Sequence, residues 1–360
     1  MGAFLNAPYE IGGPGTGLNE AFAVEIWSQI LFVEAINSTF MSKFLGEGTD
    51  SLFVRVTDLT SGPGDTVFYD MLQQEPGFGV NGNAVLKGAE GTISYQQNSV
   101  IIEQKRHALS HYRMSQQRTI HDLRRDAARN LKDFYARVID EHMGAVLVGE
   151  LQAGALKTDI TAFNGITLVA PDAAHKKDQG ATIFKAEHIS AAKVNAATIA
   201  TANNGPIRPL RMDGEEWYVM FIHPWQAHSL RQDTDWLAAQ QNAAPRSLDN
   251  AIFTGALGTY DGVILHSWNY IPQGLLPDTH AVLCGAGAAV VAFGRSFTAL
   301  DGVNRNSTND DGFPVHWVEE IEDYGNEVGI SAGMVYGMAK NVFNAFDYAT
   351  YRVTSDETAP

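Results

Sequence analysis

The chain has 360 residues, 45% of them apolar and 18% charged, values of a globular protein large enough for two or three subdomains. A single cysteine, Cys284, excludes an internal disulfide framework and any multi-cysteine zinc site, and is consistent with a reducing place of synthesis. The net charge of −16 argues against a general nucleic-acid binder, no run reaches 18 apolar residues, and the start lacks the basic-then-apolar pattern of a secretory signal.

Residues 1–20 are rich in Gly and Pro, lack periodicity, and read as an extended arm or tail. The Gly-rich run at 13–17 follows no strand, so it is no phosphate loop. Ile26, Ile30, Val33, Ile36, Phe40 and Phe44 recur at helical spacing and predict a helix over 23–44, ended by Gly46 and Gly48. Residues 52–56 read as a strand. Between 57 and 107 the turn signals are dense: Gly62-Pro63-Gly64-Asp65, Pro76-Gly77 and Asn81-Gly82. The β-rich runs between them include 66–72 and 99–103, expected to pair as the legs of a long hairpin with its tip at 77–88. A two-stranded hairpin is not stable alone, so this one needs a partner surface, its own or another subunit's.

The stretch 114–149 carries an apolar stripe at Ile120, Leu123, Ala127, Leu131, Phe134 and Val138, which predicts one long helix. Thr119 is the expected cap and Asp122 the expected return bond. The outer faces place Asp126 near Arg129, Arg129 near Asp133, Asp133 near Arg137 and Arg137 near Glu141, pairs of a few tenths of a kcal/mol each. The stripe must therefore dock on something to hold the helix. From 103 to 141 nine Lys/Arg face six Asp/Glu, a local excess of three positive charges in an acidic chain. That excess reads either as a surface of distinct sign or as ordinary pairing along the helix.

Residues 151–180 are loop-rich, 187–202 predict an amphipathic helix, 217–222 a strand stopped by His223-Pro224, and 225–241 a helix. Asp261-Gly262 is a hairpin turn. The run 281–293 is apolar and small, and 328–353 reads as one or two closing strands.

Chemistry-bearing patterns are thin. Gly285-Ala286-Gly287 follows an apolar run, but without a complete βαβ unit it reads as tight backbone packing, not a dinucleotide fingerprint. His107 and His111 share a helix face if that segment is helical; His223 and His228 do so only loosely, and no HExxH pattern exists. Asn309-Asp310-Asp311-Gly312 lacks the spacing of a calcium loop. No G-x-S-x-G occurs. No catalytic, cofactor-binding or metal-binding residue is assigned, no cofactor is expected and the chain is read as no enzyme. Long arm, long hairpin and long helix all need neighbours, which favours an assembly subunit.

Several runs, in unbroken order over about 24–353, resemble one family. They are Thr57-Asp58-Leu59 with Gly62-Pro63-Gly64-Asp65-Thr66-Val67; Arg113-Met114-Ser115-Gln116-Gln117-Arg118; Ile207-Arg208-Pro209-Leu210 with Tyr218-Val219-Met220-Phe221-Ile222-His223-Pro224; Ile252-Phe253-Thr254-Gly255-Ala256-Leu257-Gly258; and Asp323-Tyr324-Gly325-Asn326 with Gly329-Ile330-Ser331-Ala332-Gly333. Together they resemble the major capsid proteins of tailed bacteriophages of the N-four type. The resemblance implies an α+β chain of the Hong Kong 97-type capsid fold. Its expected parts are an N-terminal arm and helix over 1–56, an extended loop over 57–107, and a peripheral domain over 108–204 with the spine helix at 114–149. An axial domain over 205–327 follows, and terminal strands over 328–360 return to the peripheral domain.

The function so implied is structural: pentamers and hexamers of this chain closing an icosahedral shell around double-stranded DNA, made in the host bacterial cytoplasm and resident in the virion. Expected partners are the chain itself, non-specific DNA, and portal, scaffolding and cement or decoration proteins; no membrane is expected. Arg118, Arg125, Arg129 and Lys132 are the candidate genome-facing residues, and Gly77, Phe78, Asn81 and Lys87 the candidate intersubunit loop tip. A lysine near the loop tip is where some capsids of this fold cross-link, but Gly88, Ala89 and Glu90 beside Lys87 look solvated and no partner is marked, so a non-covalent shell is expected. Alternatives are a phage decoration or tail structural protein, or a soluble α/β small-molecule enzyme.

Overall fold

The computed structural model describes residues 39–357 except 58–63, 73–79, 84, 89, 91–92, 94, 120–121, 152–162, 181, 200–205, 213, 242–255, 275–277, 295–304 and 311–312. Most of the expected 23–44 helix lies outside these residues. Its described end, Phe40–Phe44, is a 3-10 turn.

Two sheets share one core. The first is built on the 14-residue strand Glu327–Lys340. Glu103–Tyr112 runs antiparallel along one side of it, from Tyr112 opposite Glu327 to Glu103 opposite Tyr336. Phe313–Glu322 and then Ala289–Phe293 line the other side. Phe53–Val56 continues this sheet, parallel to Ala289–Phe293. The second sheet is built on Glu215–Ile222, parallel to Val263–Ser267 and antiparallel to Asp278–Cys284. Thr350–Asp356 pairs with the far side of Asp278–Cys284. Asp261 (φ 47°) and Gly262 (φ 74°) form the expected left-handed two-residue turn between Gly258–Tyr260 and Val263–Ser267.

The apolar run 281–293 is two strands, one in each sheet. Gly285–Ala288 carries the chain across: the Gly285 N–H donates to the Ala349 carbonyl and the Ala286 N–H to Arg208. A Cβ on Gly285 would overlap the Arg208 carbonyl, so small residues here allow the backbone to pass between layers. The terminal segment is likewise divided. Glu327–Lys340 lies in the first sheet and Thr350–Asp356 in the second, so the expected terminal segment 328–360 is divided between the two sheets. The expected 205–327 unit is divided too: Glu215–Ile222 through Asp278–Cys284 form the second sheet, while Ala289–Phe293 and Phe313–Glu322 belong to the first.

The expected 114–149 helix is broken. Arg113–Arg118 is a short helix, Thr119 is extended (φ −101°, ψ 148°), and the spine helix is Leu123–Val148. Asp122, not Thr119, is its N-cap, accepting the Arg125 N–H at 3.3 Å. The acid that was expected to reach back instead caps a new start, because its carboxylate satisfies an orphan amide of the first turn. Gly149 (φ 75°) ends the helix in the left-handed conformation, its N–H on the Ala145 carbonyl. The stripe docks as expected: Ala127, Leu131 and Val138 are buried and Phe134 half-buried. Gly144 lets the helix approach the chain at Tyr270, whose carbonyl a Cβ would overlap. The 225–241 helix is also broken, into Pro224–Leu230 and Thr234–Gln241.

Candidate assembly surfaces

The extended loop is a hairpin of Thr66–Leu72 with Tyr95–Ile101, from Thr66 opposite Ile101 to Leu72 opposite Tyr95. The second leg therefore starts four residues before the expected 99–103. One face is fastened to the subunit. Val67 and Val100 are buried against Val290, Ala292 and Ala339. The Tyr69 hydroxyl donates to Asn341 Oδ1 at 2.5 Å, and Asn98 Nδ2 donates to the Val342 carbonyl at 2.7 Å. Burial pushes the Tyr69 hydroxyl up to about 12, so it stays a donor at any working pH. The other face carries Phe68, Leu72, Tyr95 and Ile101, 43–68% exposed. The signal for this was in the sequence: in 66–72 apolar side chains fall on both parities, so both faces call for cover. Toward the tip Val85, Leu86 and Ile93 are also exposed, as are Asn81 and Lys87. Gly77 and Phe78 lie outside the described residues.

The basic candidates sit where little consumes them. Arg118 ends the short helix, and Arg125 and Arg129 lie on the outer face of the spine helix; all three side chains are exposed and, among the described residues, in no ion pair. Lys132 is half-buried and partnered. The expected pairs of Arg129 with Asp126 and Asp133 do not form. Arg124 pairs with Glu319 at 2.7 Å and ties the helix start to the sheet.

The spine helix is anchored to everything around it. Asp140, 5% exposed, accepts the Phe40 and Met41 N–H groups at 3.0 and 3.3 Å, holding the described end of the N-terminal segment. Burial raises its carboxyl to about 6 despite those bonds and nearby Lys43. Tyr135 Oη donates to the Ala332 carbonyl at 2.5 Å, and His142 Nδ1 lies 2.8 Å from the Tyr336 hydroxyl. Burial holds His142 down to about 3, so it is neutral. At the helix end Glu150 pairs with Arg352 at 2.7 Å. In the connection between the sheets Lys340 and Asp347 form a buried ion pair at 2.6 Å. Burial lowers the lysine and raises the aspartate, each opposed by the other's charge.

The histidines singled out in the sequence hold places in the framework. His107 and His111 lie on a strand, not a helix, and share a face there because four is also a multiple of the strand period. His107 stacks on Phe134 at 4.1 Å. His223 caps Pro224–Leu230 through Nδ1, 3.3 Å from the Trp225 N–H. Among the described residues no three His, Cys, Asp or Glu side chains gather as a metal site, and no helix is long and apolar enough to cross a membrane.

A family model described as phage capsid protein matches residues 15–357. The chain belongs to the phage capsid protein family. It is 28% identical over 342 residues to the major capsid protein of Pseudomonas phage KPP25, covering 88% of this chain and 89% of that one. The capsid of Ralstonia phage GP4 superposes with a TM-score of 0.75 at 28% identity, over 90% of this chain and 92% of that one. The cyanophage Pam1 capsid subunit shares the fold at a TM-score of 0.65 and 17% identity, over 90% and 94% of the two chains. The chain is thus a major capsid protein with the Hong Kong 97-type fold, a structural subunit of the shell resident in the virion.

Proposed function

We propose that this capsid chain closes an icosahedral shell as pentamers and hexamers around double-stranded DNA, holding it together without catalysis or covalent links. The observation that carries the reading is the hairpin with one face fastened to its own subunit and the other bearing Phe68, Leu72, Tyr95 and Ile101 to solvent. Such a face is an interface waiting for cover. In a ring of identical subunits the cover is the next copy, through heterologous contacts that close by rotation. The motif order in the sequence supports an N-four-type branch.

The exposed Arg118, Arg125 and Arg129, with Lys132 beside them, face the packaged genome in this reading. They contact phosphates without sequence preference, which suits an otherwise acidic subunit that must not adhere to nucleic acid elsewhere. Portal, scaffolding and cement proteins complete the particle. Negative-stain microscopy of the purified chain tests the shell: closed particles of uniform size are expected, and monomers or open sheets would sink it. Reversing Arg125 and Arg129 to Glu should leave empty shells intact and lower DNA retention; unchanged retention would remove these residues from the genome face.

A further inference from the structure

The connection between the two sheets holds a reactive pair that the shell reading leaves unused. Glu327–Lys340 ends the first sheet at Lys340, and Thr350–Asp356 belongs to the second. Between them Val342–Phe343 and Phe346–Asp347 pair as a tight hairpin, Val342 opposite Asp347. Asn344 and Ala345 turn it with positive φ, 50° and 65°. This fold-back brings Asp347 onto Lys340. The Lys340 side chain is wholly buried, that of Asp347 is 3% exposed, and Nζ lies 2.6 Å from Oδ1. At that separation Nζ makes no well-directed hydrogen bond to any described group. Asp172 anchors the backbone of the acid. Its Oδ2 accepts the Asp347 N–H at 2.8 Å and lies 2.8 Å from Nδ1 of His175, itself 1% exposed. Lysine and acid therefore meet in a fixed geometry, away from water.

Two opposite charges in such a site are costly. Each loses its hydration, and their attraction offsets that loss only where further hydrogen bonds satisfy the remaining groups. Lys340 lacks those bonds. Burial instead favours a neutral amine and a neutral carboxyl, the state reached when one proton passes from Nζ to the aspartate. A neutral lysine amine is a nucleophile, and a protonated carboxyl can accept its attack. Fixed contact makes their reaction effectively unimolecular. We propose that Lys340 and Asp347 condense to an isopeptide bond within the subunit. Nζ bonds to Asp347 Cγ, the Cγ–OH bond breaks, the amine proton goes to the departing hydroxyl, and one water leaves. Nothing is oxidised or reduced, and the product is a neutral amide in place of two buried charges. The bond joins no copies, so it stands apart from the shell reading. Its place gives it a use: Asn341 and Val342, beside Lys340, hold Tyr69 and Asn98 of the extended hairpin. The bond locks the platform to which that hairpin is fastened.

Mass spectrometry of the full-length chain, unfolded and reduced, tests this. The wild-type chain should weigh one water less than its sequence, and trypsin should leave it uncut after Lys340. Lys340→Arg and Asp347→Ala should each show the full sequence mass, because a guanidinium keeps its charge and is no nucleophile, and alanine has no carboxyl. A wild-type chain of full sequence mass, cut after Lys340, would leave an ordinary buried ion pair and overturn the proposal. A water missing from Lys340→Arg as well would place the loss elsewhere, as in a succinimide at Asp261-Gly262, and would also overturn it. Should either variant fail to fold, the wild-type mass and its tryptic map decide alone, since cleavage after Lys340 is incompatible with the bond.

Discussion

The extended hairpin and the second sheet start from similar material and end in opposite states. Both have apolar residues at consecutive strand positions, in Thr66–Leu72 as in Glu215–Ile222. In the second sheet Tyr218 to Ile222 are all buried, covered on both faces by Phe40, Phe44, Phe53 and neighbouring elements. In the hairpin only Val67 and Val100 are buried, and every second residue faces solvent. Among the described residues the hairpin is thus a strand pair without a second covering layer. In the proposed shell that layer is another copy, so the two regions answer different questions: one whether the subunit folds, the other whether subunits join.

The largest effect should come from the covered region. Phe221→Ala removes a fully buried ring that stacks on Phe53 and meets Phe44 edge-on, and should lower subunit stability by about 3–5 kcal/mol. Urea denaturation measures it, and particle loss should follow unfolding. The uncovered region should behave in reverse. Phe68→Asp and Tyr95→Asp should leave subunit stability within about 0.5 kcal/mol and yet block assembly, and shells of normal yield from the pair would break the comparison. Between these extremes lies the fastened face. Tyr69→Phe removes one hydrogen bond to Asn341 and should cost about 1 kcal/mol, seen as a lower thermal midpoint with particles still formed.

A smaller effect concerns pH at the anchor of the N-terminal segment. The Asp140 carboxyl sits at about 6 in the folded subunit against an ordinary value of 3.8, because burial disfavours its charge. A raised acid binds its proton more tightly when folded, so its contribution is fully present below the ordinary value and fades as pH rises through about 6. Asp140→Asn stays neutral at every pH. Relative to wild type, its stability should be higher at pH 7 than at pH 4, and parallel stability profiles between pH 4 and 7 would refute this. The smallest effect belongs to exposed Lys87. Boiled, reduced particles should give one band near 39.2 kDa, and Lys87→Ala should change nothing. A ladder of multimers lost in that variant would show a covalent shell instead.

Local signals written in a few residues survived into the structure: the Asp261-Gly262 turn, the strand ended by His223-Pro224, and the buried stripe at Leu131 and Val138. Each depends on backbone preference or one periodicity, which neighbours in sequence suffice to specify. The candidate surfaces were legible only in part. The excess of arginine was visible in composition, yet its lack of partners was not, because Arg129 has carboxylates at the right spacing and does not pair with them. The exposure of Tyr324 gave no signal, since it depends on the left-handed turn at Asp323–Gly325.

What the sequence by itself determined is the place of several strands and turns, the strand stop at His223-Pro224, the hairpin's need for a partner surface, and, through its ordered motifs, the capsid family. Tertiary structure alone decided that 281–293 passes from one sheet to the other, that 107–111 is strand, that 327–356 is shared between the sheets, and that the long helix restarts at Asp122. The physical reason is common to all four. An apolar run states that it must be buried, and a polar side chain that it must be paired, but the choice among partners distant in the chain belongs to packing, where one close approach at Gly285 or one capped amide at Arg125 outweighs local preference.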